Sequence, residues 1–178
     1  MNILADITEL LARLLLSVFF VRFWAQWAHV DFYNPLAQFV YRFTHPVCQP
    51  LRRILPKHRH YDWASLMVSF TIALIAQLAI VAMYPLTPSG PVIFKLALVL
   101  FLHSVFNLLF WIVLIQAIAS FIAPPQQNPA LTFLYQLTAP LLRPIQRLLP
   151  ATGGLDFSPM VLMFLVYLAM RLVTGWLL

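Results

Sequence analysis

His58 and His60 flank Arg59, and two imidazoles at that spacing can ligate a metal or a haem. No Ser-His-Asp, Cys-His or zinc-ligand spacing accompanies them, and a surface His-x-His is more often simply solvated. The one cysteine, Cys48, excludes an internal disulfide and any multi-cysteine metal site. It reads as a small apolar packing residue. The residues therefore point away from an enzyme, and no cofactor or metal is expected.

A second group with chemical potential is ionisable or polar and sits within long apolar runs: Glu9, Arg13, His103, Asn107 and Arg171. Such groups are costly in a membrane and usually face a bundle interior or a wet cavity. Glu9 and Arg13 are four residues apart, as are His103 and Asn107, so each pair shares a helical face. Two readings compete: a polar seam with a functional role, or snorkelling at the membrane edge with hydrogen bonding between helices. Asp62 and Asp156 form a third group, each just ahead of an apolar run. An aspartate there is expected to cap the helix that follows; a proton or cation site is the sharper alternative.

The elements that must hold these residues belong in lipid. Hydrophobic residues make up 62% of the 178 and charged residues 9%, against about 25% charged in a soluble domain. Mean hydropathy is +0.87. Four runs are long enough to span, each needing about 20 apolar residues: near Ile3–Ala28, Trp63–Tyr84, Val92–Ala123 and Pro159–Leu178. The connector Pro85-Leu86-Thr87-Pro88-Ser89-Gly90-Pro91 separates the middle two. Asp6 and Glu9 stand where a cleavable signal would be basic, and no A-x-A site follows, so the first run is expected to be mature structure.

The net charge of +6 is concentrated between the spans. Arg42, Arg52, Arg53, Lys57, Arg59, Arg143 and Arg147 supply seven of the eleven basic side chains and fall in the two segments 29–62 and 124–158. The positive-inside rule places both segments in the cytoplasm and both termini outside. Anionic membrane lipid, rather than nucleic acid, is the expected partner.

Displaced by 94 residues, the chain matches itself. From 34 to 62, eleven of twenty-nine positions are identical: Asn34, Pro35, Phe39, Tyr41, Thr44, Pro46, Pro50, Arg53, Leu55, Pro56 and Asp62. Their partners are Asn128, Pro129, Phe133, Tyr135, Thr138, Pro140, Pro144, Arg147, Leu149, Pro150 and Asp156. Polar positions in the spans also pair: Glu9 with His103, Arg13 with Asn107, Arg22 with Gln116, Gln77 with Arg171. Two tandem repeats follow, over residues 1–88 and 89–178. With two spans in each they enter the membrane in the same orientation, unlike the inverted repeats of many transporters.

Between its spans each repeat carries apolar residues at helical spacing, beginning Leu36, Phe39, Val40, Phe43 and Val47 in the first. Asn34-Pro35 and Asn128-Pro129 fit an N-cap followed by proline at the first helical position. Pro46 and Pro50, with Pro140 and Pro144, are expected to break or kink these runs, and Pro56 and Pro150 to end them. Amphipathic helices lying in the interface are the result, with Arg52, Arg53, Arg143 and Arg147 meeting headgroups. The fold class is thus an all-α membrane protein of four transmembrane helices in two parallel repeats, each with a proline-kinked interfacial segment.

The second repeat resembles the YggT family of bacterial membrane proteins, related to YlmG and its plastid counterparts. The resemblance rests on Asn128-Pro129, on Leu137-Thr138-Ala139-Pro140-Leu141-Leu142-Arg143-Pro144-Ile145-Gln146-Arg147-Leu148-Leu149-Pro150, and on Gly153-Gly154-Leu155-Asp156-Phe157-Ser158-Pro159. The first repeat departs from it: His58, Arg59 and His60 replace the Gly-Gly region, and Trp63-Ala64-Ser65 lacks the Ser-Pro. The resemblance implies a small multi-pass protein of the bacterial inner membrane, with relatives linked to osmotic and ion tolerance and to division or cofactor assembly. It brings no catalytic residues. A non-enzymatic scaffold or assembly factor, docking other membrane proteins, is the first expectation, and an ion- or osmolyte-linked transport role the alternative. Homo-oligomerisation is left open.

Overall fold

The computed structural model describes residues 2–54, 61–85, 88–122, 128–148 and 156–177. Pro56, Lys57, His58, Arg59, His60, Pro150 and the Gly153-Gly154 pair lie outside the described residues. Among the described residues six helices follow in order: α1 (Ile3–Trp27), α2 (Pro35–Ile54), α3 (Trp63–Ala82), α4 (Gly90–Ile122), α5 (Pro129–Leu148) and α6 (Ser158–Leu177). The 94-residue offset recurs in the backbone, since α2 and α5 begin and end at matching positions. Gly90 and Pro91 belong to the first turn of α4 rather than to the connector. A proline there removes an N–H that has no intrahelical partner in any case.

Among the described residues, three helices are long and apolar enough to cross a membrane: α3, α4 over Gly90–Ser120, and α6. At 25 residues α1 has the length, but it carries Asp6, Glu9, Arg13 and Arg22. It packs along α3 through small side chains. Ser65, Ser69 and Ala73, spaced by four, are fully buried on α3, with Ala76 beside them. Ala12 and Leu16 of α1 close on this strip together with Leu100 of α4. Small residues let two backbones approach closely where lipid offers no hydrophobic drive. A second cluster joins Phe20 of α1 to Val105, Leu109 and Val113 of α4, Leu142 of α5, and Leu162 and Val166 of α6.

Both α2 and α5 begin as their Asn-Pro pairs predict. Asn34 Oδ1 accepts the Leu36 N–H at 2.9 Å, and Asn128 Oδ1 the Ala130 N–H at 2.8 Å. Of the break or kink expected at the prolines, the break does not occur: α2 runs through Pro46 and Pro50, and α5 through Pro140 and Pro144. The prolines of α2 are exposed and lie four apart on one outer face. The missing N–H groups therefore weaken only the outer side, while the inner side stays bonded and packed.

Helices α2 and α5 are also tied to each other and to the bundle. Asn34 Nδ2 donates to the Pro129 carbonyl at 2.7 Å, and Trp24 Nε1 to the Leu137 carbonyl at 2.9 Å. Asn34 is buried and does two jobs, whereas the side chain of Asn128 is exposed and caps one helix. Replacing Asn34 by Ala should cost about 2 kcal/mol, and replacing Asn128 by Ala about 1 kcal/mol or less. Denaturant unfolding in detergent micelles checks the order; equal losses would contradict the cross-repeat bond.

Candidate functional site

The densest polar constellation gathers where α1, α2 and α3 meet. Asp62 immediately precedes α3, and its carboxylate is 2% exposed. Arg22 Nε donates to Asp62 Oδ2 at 2.7 Å, and Nη1 to Thr44 Oγ1 at 2.8 Å. Arg52 Nε donates to Asp62 Oδ1 at 3.2 Å, and its Nη2 binds Oδ2. The Tyr41 ring serves both cations, with the Arg22 Cζ 4.4 Å and the Arg52 Cζ 5.9 Å from its centroid. Arg22 is 4% exposed and Arg52 about one-third exposed, so one guanidinium is a bundle residue and the other a rim residue.

Helix geometry explains the convergence. Ala37, Tyr41, Thr44, Cys48 and Arg52 recur at spacings of three and four and form the inner face of α2. Cys48 and Thr44 are fully buried against α1 and α3, and Phe19, Ala64 and Val68 surround the thiol. Burial raises the Cys48 pKa, which leaves it an inert packing residue. At Asp62 burial alone would raise the carboxyl pKa, but hydrogen bonds from Arg52 and Arg22 outweigh it and hold it below its ordinary value near 3.8.

The capping role expected of Asp62 is therefore not its role. No side-chain cap bond is made, and the helix start is met instead by its backbone carbonyl, which accepts from Ser65 N at 3.0 Å and Leu66 N at 3.3 Å. The carboxylate goes to the arginines because three hydrogen bonds from oppositely charged groups outweigh one from a neutral backbone N–H. Asp156 does act locally, accepting the Ser158 N–H at 2.9 Å and Gln146 Nε2 at 2.8 Å. Those hydrogen bonds outweigh its partial burial and lower its pKa too.

The two repeats thus hold the same constellation in two chemistries. Gln116 and Gln146 occupy the positions of Arg22 and Arg52. In the second repeat Gln146 reaches the aspartate, while the Gln116 side-chain oxygen is buried without a partner among the described residues. The resemblance directs attention to the second repeat, yet the buried charge lies in the first.

The polar residues predicted within the spans separate into groups. Arg13 binds Glu9 through Nε at 2.9 Å and Nη2 at 2.5 Å. Its Nη1 lies 3.0 Å from His103 Nδ1 across to α4. A guanidinium can only donate, so Nδ1 accepts and the ring proton sits on Nε2. Asn107 is exposed one turn further along α4. Arg171 stands on the exposed side of α6, bonded to Tyr167 Oη at 3.2 Å. Of the four arginines expected to meet headgroups, Arg53, Arg143 and Arg147 are exposed and Arg52 is engaged with Asp62. Arg22, Tyr41 and Thr44 were not singled out from sequence as one site. The joint replacement of Arg22 and Arg52 by glutamine across the repeat is the signal that links them.

A family model described as CCB3/YggT matches residues 1–83 and 96–177. The chain is 41% identical over 167 residues to a protein of Escherichia coli K12 named "Uncharacterized protein YggT", covering 94% of this chain and 87% of that one. It is 36% identical over 167 residues to a Vibrio alginolyticus protein, "Uncharacterized protein in proC 3'region", covering 91% and 88%. An uncharacterized Pseudomonas aeruginosa protein is also 36% identical, over 169 residues, covering 94% and 84%. No solved structure matches.

Removing one partner of a buried ion pair strands the other, at about 3–5 kcal/mol. Asp62→Asn should therefore lose at least about 3 kcal/mol of stability, and Asp156→Asn, on an exposed side chain, less than about 1 kcal/mol. Because the folded Asp62 pKa is depressed, its contribution is complete above pH 3.8 and falls as pH drops through the lower folded value. Thermal unfolding in detergent, followed from pH 7 downward, should show that acid step in the parent chain and a smaller one in Asp62→Asn. An identical step in both would contradict the assignment.

Proposed function

The chain belongs to the CCB3/YggT family of membrane proteins, and from that premise we propose that it is a non-enzymatic scaffold of the bacterial inner membrane. Its interfacial helices rest on anionic lipid, and its helix faces dock other membrane proteins. The observation that carries this reading is the three-faced character of α2. One face, with Ala37, Thr44 and Cys48, is buried in the bundle. A second, with Leu36, Phe39, Phe43 and Val47, is apolar and exposed. A third carries the exposed Arg42 and Arg53. A helix anchored on one side, with an open apolar stripe beside a basic row, suits the headgroup boundary.

In this reading α1 is the fourth span. Its 25 residues extend about 37 Å at about 1.5 Å each, enough to cross with tilt. Glu9 and Arg13 satisfy each other near one end, and Arg22 is neutralised by Asp62 at the other. Four crossings put α2 and α5 on the same side, where their arginines select the cytoplasm, with both termini opposite.

Crosslinking in native membranes followed by purification in mild detergent tests the scaffold. A reproducible set of membrane proteins should accompany the chain, and Phe39→Ser with Phe43→Ser should reduce its recovery at least severalfold. Recovery of the chain alone would overturn the reading.

An ion- or osmolyte-linked role is the second reading, favoured by the Glu9–Arg13–His103 contact between the repeats. Reconstituted vesicles should then show a flux that Arg13→Leu abolishes. No flux, or flux indifferent to that change, would remove it.

A further inference from the structure

Arg22 has one nitrogen the ion cluster does not use. Nε and Nη1 are committed to Asp62 and Thr44, while Nη2 is buried with no hydrogen-bond partner among the described residues. A buried guanidinium N–H without an acceptor is costly, and near-complete satisfaction is the rule in folded proteins. Arg22 also lines a cavity of about 30 Å3 between the end of α1 and α2, together with Arg52, Tyr41, Ala25, Val40 and Phe32. That volume admits one or two water-sized atoms.

The local charge decides what suits the space. Two guanidiniums face one carboxylate, an excess of one positive charge beside a largely apolar wall. Water would satisfy the free donor but leave that charge unbalanced, whereas an anionic oxygen does both. The cavity wall at Val40 borders the exposed stripe of Leu36, Phe43 and Val47, and Phe32 at the rim is 60% exposed. Acyl chains can lie on the stripe while a phosphate stands at the mouth.

We propose that this pocket is an anionic-lipid site in which one phosphodiester oxygen of the headgroup enters to meet Arg22 Nη2 and the Arg52 guanidinium. The inference rests on the interfacial placement of α2. In the second repeat glutamines replace both arginines, so one tightly held lipid per chain is expected. Free inorganic phosphate shares the chemistry and is distinguished below.

Native mass spectrometry of the full chain in mild detergent, titrated with phosphatidylglycerol or phosphatidylcholine, tests this. One phosphatidylglycerol should be retained per chain, at least tenfold more strongly than phosphatidylcholine. Arg22→Gln, which installs the second repeat's residue, should lose that preference. Ala25→Leu leaves every cluster residue in place and fills the cavity, so it should lose the preference as well. Lys95→Gln, exposed on α4 and outside the pocket, should retain it within about twofold. Retention unchanged in both Arg22→Gln and Ala25→Leu overturns the site, as does stabilisation by inorganic phosphate with no preference between the lipids. Spin labels at Phe39→Cys and Phe43→Cys, read for oxygen against aqueous-quencher access, test the interfacial placement separately. Lipid-like access with no retained lipid would refute the pocket alone, and aqueous access would refute the placement on which it stands.

Discussion

A charged side chain cannot be left unpaired inside this bundle, and the meeting of α1, α2 and α3 is organised around that constraint. Arg22 is too far within α1 to reach water freely, and Asp62 is as deeply enclosed. Each is tolerable only because the other is there. The pair also decides where α2 must lie: its inner face has to present Thr44 to Arg22, and its last turn has to bring Arg52 to the same carboxylate. Apolar packing can slide or rotate at modest cost, but a buried bidentate ion cluster has one register. The small-residue seam of Ser65, Ser69 and Ala73 then brings α3 close enough to α1 for Asp62 and Arg22 to meet.

The repeat shows what this arrangement adds. The second copy has the same helix order and the same aspartate, but its amides place no cation in the interior, and Asp156 remains at the surface. Its helix α5 is held by packing instead: Phe133 and Leu137 are buried against α1 and α4, whereas their counterparts Phe39 and Phe43 are exposed. One copy anchors its helix by charge and leaves the apolar stripe open; the other anchors by that stripe. This division of labour gives two similar helices different exposed surfaces.

Much of the architecture was legible in the residues. Helix positions followed from hydropathy, the repeat from its eleven identities, and the starts of α2 and α5 from their Asn-Pro pairs. Helix continuity through Pro46, Pro50, Pro140 and Pro144 was not, because a local rule about missing N–H groups ignores packing on the opposite face. The role of Asp62 was misread for a related reason. Position before a helix suggests a cap, and nothing local in the sequence announces arginines 40 residues upstream and 10 upstream in chain order. Glu9, Arg13 and His103 were placed on suitable faces by spacing, but which polar positions meet depends on how the helices are rotated. Arg171 shows the other outcome, a polar residue at a matching depth that turns outward.

The central claim is that Arg22 and Asp62 act as one unit, which a double-mutant cycle reads directly. Arg22→Gln, Asp62→Asn and the double replacement would be compared with the parent by reversible unfolding in detergent at neutral pH. The account predicts a double variant less destabilised than the sum of the single changes, with a coupling of about 2–3 kcal/mol. Additivity within about 0.5 kcal/mol would contradict it.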